Sequence, residues 1–335
     1  MAERAAGAVA RGPEVVTLGE CLMALVGTDY GSLADARSFS AYVAGAEANV
    51  AVGLARLEHA VAFIGRVGPD GFGTAIVRSL RGNGVNVDHL TVDSGAPTGL
   101  LIRDRRAIGP SEVVYYRSAS AGSRLAAEDV DSAVDAGTFE RARWLHLTGI
   151  TPALSPSCRA AVERAIERAR EGQLTISLDF NLRRKLWSDD EARPVLVDLA
   201  SRVDVVLAGD DEAAAFADAD PGSPPEMLVD ALLELGPSTA VLKLGVDGAI
   251  GRDRDGASVR RPGLAVAAID PIGAGDAFSA GFISARLDGA SLERSLDVAN
   301  ACGASAVSAL GDQSGLPDRV ELERLLAPAS ADAIR

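Results

Sequence analysis

The residues with the clearest chemical potential lie between Asp270 and Asp276, where glycines and carboxylates stand close together. An amphipathic segment follows them, which predicts that a helix begins inside this run. Gly273 and Gly275 let the backbone approach a ligand closely, and the first amides of a helix favour an anion such as phosphate. Because Asp276 would repel a bound phosphate, we interpret it as a general base for a hydroxyl that attacks the phosphate. The alternative is an ordinary acidic first turn of a helix.

Two other glycine-rich segments could contact a ligand, although each has a plainer explanation. The run from Lys243 to Gly248 follows a buried strand and predicts a tight turn into the next strand, on the same rim as the first loop. The run from Gly65 to Gly73 has glycines spaced by three, three and two residues, with Pro69 among them. This spacing is not the GxGxxG of dinucleotide-binding proteins, and the chain has no GxxxxGK[ST] loop. A dehydrogenase or a P-loop enzyme is therefore not indicated.

Three further polar positions could serve a ligand. Asn49 opens an apolar helical pattern, where it either caps the helix or binds a ligand. Arg117 closes an aromatic strand that contains Tyr115, and Arg183 follows the strand-end residue Asp179. Planar guanidinium groups suit carboxylates and phosphates. Either arginine alone could equally be a solvated surface residue.

The apolar patterns between these segments predict the elements that must position them. Strands are predicted at residues 15–18, 61–65, 144–147, 174–179, 203–207 and 239–244, with another ending near Ile269, and a hairpin at 100–116. Helices are predicted at 49–57, 74–81, 156–171, 210–216, 226–235 and 292–310. Strands that alternate with helices predict a parallel sheet covered on both faces, with ligands beyond the carboxyl ends of the strands.

The composition excludes several classes of protein. The chain has 335 residues, of which 47% are hydrophobic and 24% charged, so it can bury a large core and is not disordered. Its net charge of −14 makes nucleic acid an improbable partner. The 3 cysteines and 3 histidines are scattered, which indicates neither a disulfide framework nor a zinc site. Without a membrane span or a signal peptide, the sequence predicts a soluble cytoplasmic protein.

Taken together, these segments resemble the ribokinase-like, or PfkB, family of sugar kinases over nearly all of residues 13–329. The loop from Asp270 to Asp276 and the pair of segments 45–49 and 65–73 match the hallmark regions of that family. Within the family the chain is most similar to the 2-keto-3-deoxygluconate kinases. The residues that carry this similarity are Gly19-Glu20, Gly45–Val52, Pro97–Gly99, Tyr115–Arg117, Ser120-Ala121, His146–Ser155, Asp179–Arg183 and Leu186-Trp187.

The resemblance implies one kinase domain at 13–329, an α/β fold built as a three-layer α/β/α sandwich. It also implies a small β-sheet lid formed by insertions near residues 21–44 and 98–119. Catalysis would fall to Asp276 with Gly273, Ala274 and Gly275, and the substrate would contact Gly45, Asn49, Tyr115, Arg117, Arg183 and Asp276. ATP would contact Asn181, Arg183, Lys243, Gly245, Gly248, Gly273, Gly275 and Asn300. Mg²⁺ would arrive with the nucleotide and be held through water, so no metal ligand is named.

The implied activity is ATP-dependent phosphorylation of a hydroxyl of 2-keto-3-deoxygluconate. The alternatives are a kinase for fructose or for 2-keto-3-deoxygalactonate, and a non-catalytic sugar-acid sensor, which would not need Asp276. Two arginines on the sugar side favour an acid, since a neutral sugar gives a second buried cation no partner. The helix N-terminus and a phosphate are expected to lower the pKa of Asp276, so that it is ionised at neutral pH.

Four positions depart from the family pattern. Ala44 and Glu58 stand where glycines are common, and Leu101 occupies a lid position that can carry a tyrosine. These three bear on the choice of sugar. Gly209 replaces an Asn or Ser before the acidic run at 210–212 and bears on the surroundings of the nucleotide. The resemblance also implies that exposed lid edges can pair two copies of the chain.

Overall fold

The computed structural model describes residues 12–109, 111–216, 220 and 222–327. Its strands are β1 (Val15–Leu18), β2 (Leu22–Gly27), β3 (Phe39–Ala44), β4 (Val61–Val67), β5 (Asn86–Val92), β6 (Gly99–Arg103), β7 (Val113–Tyr116), β8 (Trp144–Thr148), β9 (Thr175–Asp179), β10 (Val205–Gly209), β11 (Thr239–Lys243), β12 (Ala249–Asp253) and β13 (Val259–Arg261). Its helices are α1 (Ala46–Arg56), α2 (Gly71–Gly82), α3 (Ala127–Asp135), α4 (Thr151–Leu154), α5 (Pro156–Glu171), α6 (Asp189–Ala200), α7 (Asp210–Phe216), α8 (Pro225–Glu234), α9 (Ala274–Leu287), α10 (Leu292–Ala306) and α11 (Arg319–Leu326). Among the described residues, no helix is both long and apolar enough to cross a membrane.

Nine strands form one large sheet in the order β13-β12-β11-β10-β9-β8-β1-β4-β5. The seven strands from β11 to β5 are parallel, as the alternating pattern predicts. At one edge β12 and β13 run antiparallel to their neighbours, which agrees with the tight turn predicted between β11 and β12. The reason is the short turn at Gly245–Asp247, which joins β11 to β12 as a hairpin and is too short for a crossover.

Two hydrophobic cores cover the two faces of this sheet, and this layering is the three-layer α/β/α sandwich that the resemblance implies. One core packs α1, α2, α9 and α10 on the sheet, and the other packs α3, α5, α6 and α8. Helix α5 begins as its sequence predicts, with the Ser155 hydroxyl accepting from the Cys158 amide and Pro156 in the first position. The helices therefore hold the carboxyl ends of the parallel strands at one rim.

Four strands form a second, smaller sheet in the order β3-β2-β6-β7, which we call the lid sheet. Strands β6 and β7 pair antiparallel, as the hairpin pattern predicts. Strand β2 pairs antiparallel with β3 and parallel with β6, so the two segments at 21–44 and 98–119 build one sheet. The ion pair between Arg103 of β6 and Asp270 ties this sheet to the glycine loop that precedes α9.

The predicted strand ending near Ile269 is wrong. Residues 262–269 have no regular secondary structure, and the Ile269 side chain is 58% exposed. The segment is held instead by the amides of Ile269 and Asp270, which both donate to the carbonyl of Val307. An apolar run predicts a strand only where a neighbouring strand covers it, and none lies beside this one in the described structure.

Candidate active site

The glycine loop turns into α9 at Gly273, whose backbone adopts a left-handed conformation with φ of 81°. A β-carbon at Gly273 would also lie 2.6 Å from the carbonyl oxygen of Asp312. Both facts require glycine at this position. Gly275 has no such φ, and the nearest atom to an added β-carbon there is Lys243 Nζ at 3.5 Å. The backbone at Gly275 is therefore open enough for a ligand to approach it.

Asp276 lies in the first turn of α9, where it is buried and held by two side-chain amides. Asn49 Nδ2 donates to one carboxylate oxygen at 2.8 Å and Asn181 Nδ2 to the other at 3.1 Å. Burial raises the pKa of Asp276, while the Asn49 hydrogen bond and the positive charge of Arg183 lower it. The expectation that the helix N-terminus and a phosphate lower this pKa is therefore wrong, because burial outweighs the favourable contacts and a phosphate, being an anion, would raise the pKa further. Asp276 lies where a base would be needed, with a pKa above its ordinary value.

Asn49 does not cap its helix, which corrects that interpretation. Helix α1 begins three residues earlier, at Ala46, and its N-cap is Gly45 with φ of 133°. A β-carbon on Gly45 would lie 2.3 Å from the carbonyl oxygen of Glu20, so the chain needs glycine there. The early start places Asn49 inside α1, where it contacts Asp276 and lines the cavity described below. Ligand binding by Asn49 stays a prediction.

The Lys243 ammonium lies between the end of β9 and the backbone of the glycine loop. Its Nζ is 2.5 Å from Asp179 Oδ2 and 3.5 Å from the carbonyl oxygen of Gly275. Ser279 of α9 donates to the same Asp179 oxygen at 2.9 Å. Asp179 Oδ1 is buried and has no hydrogen-bond partner within the described structure. This network fixes the carboxyl ends of β9 and β11 against the first turn of α9.

A cavity of about 100 Å³ lies between the lid sheet and the rim of the large sheet. Its lining comes from both sheets and from α1, α9 and the loops around them. The lining residues are Glu20, Leu22, Ala44, Gly45, Ala46, Glu47, Asn49, Leu101, Arg103, Val113, Tyr115, Arg117, Ile150, Arg183, Ile272, Gly273, Asp276 and Asp312. All six predicted substrate-contacting residues lie in this lining. Two of the departures from the family pattern, Ala44 and Leu101, also face it.

The three arginines of the cavity differ in what they already bind. Arg117 is paired with buried Glu20, through Nη2 and through Nε at 2.6 Å. Arg103 is paired with Asp270. Arg183 has no ion pair with a carboxylate in the described residues and donates one long hydrogen bond, to a backbone carbonyl. The argument that Arg117 lacks a protein partner is therefore wrong, and Arg183 is the guanidinium available to an anion.

A second cavity of about 780 Å³ lies on the far side of Tyr115, Arg117 and Arg183, between β7 and residues 182–186. Lys185 Nζ spans it and contacts the carbonyl oxygen of Val113 at 2.5 Å. The same ammonium lies 5.8 Å from the centre of the Tyr115 ring, and the Arg117 guanidinium lies 5.4 Å from it. Cations at these distances are attracted to an aromatic ring. This cation-lined groove opens onto the same side chains as the smaller cavity.

The other residues predicted to contact ATP lie around the β11–β12 hairpin and the end of β13. Gly245 and Gly248 shape the hairpin with φ of 57° and 89°. A β-carbon at Gly248 would lie 2.1 Å from the carbonyl oxygen of Arg261. Asn300 of α10 donates to that same carbonyl at 3.3 Å and to that of Pro262 at 3.1 Å. In the described structure, no hydrogen bond joins these residues to Asp276.

Sequence reasoning assigned no role to two buried acids of the cavity. Glu47 of α1 accepts hydrogen bonds from the hydroxyls of Thr148 at 2.8 Å and Thr151 at 2.5 Å, and burial raises its pKa to about 7. Burial, with the nearby charge of Asp276, raises the pKa of Asp312 to about 6. Glu47 stands within the motif at 45–49, which could have singled it out. Asp312 belongs to a loop after α10 and carries no local signal.

Comparison with known proteins identifies the family to which the chain belongs. The sequence pattern of the PfkB family of carbohydrate kinases matches residues 13–319. The chain is 39% identical to the 2-dehydro-3-deoxygluconokinase of Thermoproteus tenax, over 93% of this chain and 94% of that protein. It is 35% identical to the enzyme of the same name from Bacillus subtilis, over 94% and 95%. It is also 34% identical to fructokinase-1 of Zea mays, over 94% and 98%.

Solved structures of similar proteins have the same fold. A 2-dehydro-3-deoxygluconokinase from Thermotoga maritima superposes with a TM-score of 0.84 at 27% identity, over 93% of this chain and 98% of that chain. A ribokinase-type protein from Escherichia coli, in complex with ATP and Mg²⁺, gives the same TM-score, identity and coverage. The sequence match and the shared fold agree. The chain therefore belongs to the PfkB family of carbohydrate kinases, which transfer a phosphoryl group from ATP to a sugar.

Proposed function

We propose that this kinase phosphorylates 2-keto-3-deoxygluconate, also called 2-dehydro-3-deoxygluconate, at one of its hydroxyls. The observation that carries the proposal is the placement of Asp276. This carboxylate is buried, lies in the first turn of α9 beside an open glycine backbone, and faces a cavity covered by the lid sheet. A base at the junction of a phosphate-binding loop and a substrate cavity is what phosphoryl transfer to an alcohol requires.

In the proposed mechanism Asp276 accepts the proton of the attacking hydroxyl. Its two oxygens each accept one amide hydrogen bond, from Asn49 and from Asn181, so each keeps a lone pair for the substrate. The hydroxyl oxygen then forms a bond to the γ-phosphorus of ATP as the bond between that phosphorus and the leaving ADP breaks. The first amides of α9 stabilise the negative charge that is transferred.

The surroundings of the glycine loop fit a nucleotide. ATP supplies the phosphoryl group, and the open backbone at Gly275 together with Lys243 would lie beside its phosphates. No group of three or more His, Cys, Asp or Glu side chains in the described ranges is placed to hold a metal ion. We propose that Mg²⁺ binds with the nucleotide, as in the E. coli complex with ATP and Mg²⁺.

Two observations support an acidic sugar. The relatives at 39% and 35% identity carry the name 2-dehydro-3-deoxygluconokinase. Arg183 lines the cavity without a carboxylate partner in the described structure, so its guanidinium is available to the carboxylate of the sugar. A charge-assisted pair of this kind contributes about 1.5–3 kcal/mol, which is about a 10–150-fold preference over a neutral sugar.

A neutral ketose such as fructose is the second candidate. The observation in its favour is that Glu20 already neutralises Arg117, which leaves the cavity with one uncommitted guanidinium beside Glu47, Asp276 and Asp312. The fructokinase of Z. mays at 34% identity is consistent with this candidate. The alternative of a sensor without activity has no support in the family match, whose members are kinases.

The test is a coupled ATP-consumption assay with 2-keto-3-deoxygluconate, 2-keto-3-deoxygalactonate and fructose. We expect the highest kcat/KM with the first, and a fall in kcat of about 10²–10⁴-fold in Asp276→Asn, which removes the base and keeps the shape. We expect Arg183→Met to lower kcat/KM for the acids and to leave that for fructose unchanged. A wild type that prefers fructose overturns the acid assignment. Turnover of Asp276→Asn within a few-fold of wild type removes Asp276 from the mechanism.

We also propose that the protein acts in the cytoplasm and that two copies pair through their lid sheets. Exposed aromatic and apolar side chains on and around that sheet support the pairing, with Tyr30 and Tyr116 each 61% exposed and Ile108 92% exposed. Light scattering after size-exclusion chromatography measures the oligomeric state directly. A monomer at micromolar concentration contradicts the pairing.

A further inference from the structure

Three buried side chains form a hydrogen-bonded series that ends at Asp276. Gln313, in the loop after α10, donates from Nε2 to Asn49 Oδ1 at 3.0 Å. Asn49, on α1, donates from Nδ2 to Asp276 Oδ2 at 2.8 Å. Gln313 is 8% exposed and Asn49 is 1% exposed, so water does not compete for these bonds. The series joins three segments that are far apart in the chain.

The chemistry of the two ends fixes the direction of the series. A carboxylate can only accept hydrogen bonds, so Asn49 must turn its Nδ2 towards Asp276. Its Oδ1 then faces the opposite way, where a buried acceptor requires a donor. Gln313 supplies that donor. If Asn49 turned over, its oxygen would face the Asp276 carboxylate and its amino group would face the Gln313 amide hydrogens, so both contacts would become repulsive.

We propose that Gln313 is a positioning residue that holds the Asn49 amide in the orientation in which Asn49 donates to Asp276. The inference rests on the proposed role of Asp276 as base. Gln313 does not line the substrate cavity, whereas its neighbour Asp312 does. In the described structure the Gln313 side chain donates to Asn49 and to no other side chain, so we expect its effect on the reaction to pass through Asn49.

The direction of the effect follows from the charges that face Asp276. Arg183 and Lys243 lower its pKa, and Asp179 raises it, as does the burial of the group. Two further acids, Glu47 and Asp312, each have a pKa that the charge of Asp276 raises. The hydrogen bond from Asn49 lowers the pKa of Asp276, because it stabilises the ionised carboxylate. Disordering that bond removes a stabilising contribution to the ionised base, so the base becomes active only at higher pH.

The experiment measures kcat against pH for the wild type, Gln313→Leu, Gln313→Glu and the control Ser314→Ala. Ser314 is the exposed neighbour of Gln313, and its variant should match the wild type. In Gln313→Leu we expect the acid limb of the profile to move to higher pH, with kcat about tenfold lower on that limb and recovery at alkaline pH. KM for ATP should stay unchanged, because no hydrogen bond joins Asn49 to Lys243 or Gly275 in the described structure.

Gln313→Glu keeps the shape of the side chain and gives an independent result if the leucine variant does not fold. Its ionised carboxylate can only accept, so it would attract the Asn49 amino group and turn the Asn49 oxygen towards Asp276. Leucine cannot do this, so the activity of Gln313→Glu should not recover at alkaline pH, in contrast to Gln313→Leu. A wild-type profile in either variant overturns the positioning role. Failure of the wild type to phosphorylate any sugar would instead overturn the proposed function, so the two failures are distinguishable.

Discussion

Replacing Arg117 with methionine separates the two roles that the structure allows for this side chain. Arg117 lines the substrate cavity, but its guanidinium is bound to the carboxylate of Glu20. The Glu20 side chain is fully buried, and its remaining side-chain partner is the Ser120 hydroxyl at 2.5 Å. The substitution keeps much of the volume of Arg117 and removes the charge. It therefore leaves a carboxylate in the interior without a cation.

The magnitude follows from the burial of the pair. Removing one partner of a buried ion pair costs about 3–5 kcal/mol, because the other charge stays desolvated. At about 2 °C per kcal/mol, the lower end of the range for large domains, Tm should fall by about 6–10 °C. The double variant Glu20→Gln with Arg117→Met should recover most of this loss, since an amide can still accept from Ser120.

Thermal unfolding of the single and double variants forms a double-mutant cycle that isolates the pair. Arg184→Met is the matched control, because Arg184 is exposed and its pair with Asp189 should contribute about 1 kcal/mol or less. The kcat/KM ratio of 2-keto-3-deoxygluconate to fructose, measured on the double variant, then tests recognition alone. An Arg117→Met variant with the wild-type Tm would refute the reasoning and would free Arg117 to bind the acid.

Three further predictions follow from close contacts and buried acids elsewhere in the site. Gly53→Ala places a β-carbon 2.8 Å from that of Ala280, so α1 and α9 must separate and kcat should fall about tenfold, although Gly53 itself does not line the cavity. Burial raises the pKa of Glu47 from 4.5 to about 7, so the unfolding free energy of the wild type should fall by about 3 kcal/mol between pH 4.5 and pH 8 relative to Glu47→Gln in urea unfolding. Gly275→Ala should fold normally and lose ATP turnover in steady-state kinetics, whereas Gly273→Ala should lower Tm because its backbone is left-handed.

Each of these has a control or a contrary outcome. Gly82→Ala, in α2, meets no atom within 4 Å and should retain full activity, in contrast to Gly53→Ala. Because the folded state favours protonated Glu47, the contribution of Glu47 to the unfolding free energy is fully present below pH 4.5. It is lost as the pH rises through 7. Parallel stability curves for the wild type and Glu47→Gln would contradict that pKa. Full ATP turnover in Gly275→Ala would show that the open backbone there is only structural.

Local sequence signals correctly predicted those structural features that depend only on residues close together in the chain. The start of α9 after Gly273, the turn at Gly245–Asp247 and the cap at Ser155 each depend on neighbouring residues, and all three agree with the sequence. The alternation of strands and helices likewise predicted the seven parallel strands. The family resemblance then predicted the fold and the kinase activity, both of which the comparisons confirm.

The features that sequence reasoning missed depend on residues distant in the chain. Asn49 has the local signature of a helix cap, yet its partner Asp276 lies 227 residues away. Arg117 was interpreted as an unpaired cation because its partner Glu20 is 97 residues earlier. No local pattern contains such pairs, and burial rather than neighbouring sequence sets the pKa of Asp276. The roles assigned to individual site residues stay predictions until the variants are measured.

The position of β1 within the large sheet has a consequence for how the protein is made. Strand β1 pairs with β4, through Val15 and Val61, and with β8, through Val15 and Trp144. A ribosome must therefore complete β8 before the second edge of β1 is covered. Until then the nascent chain presents an apolar strand edge to solvent, and chaperone binding or aggregation during synthesis would act at that edge. Slowing translation between β4 and β8 should lower the yield of folded protein more than slowing it after β11.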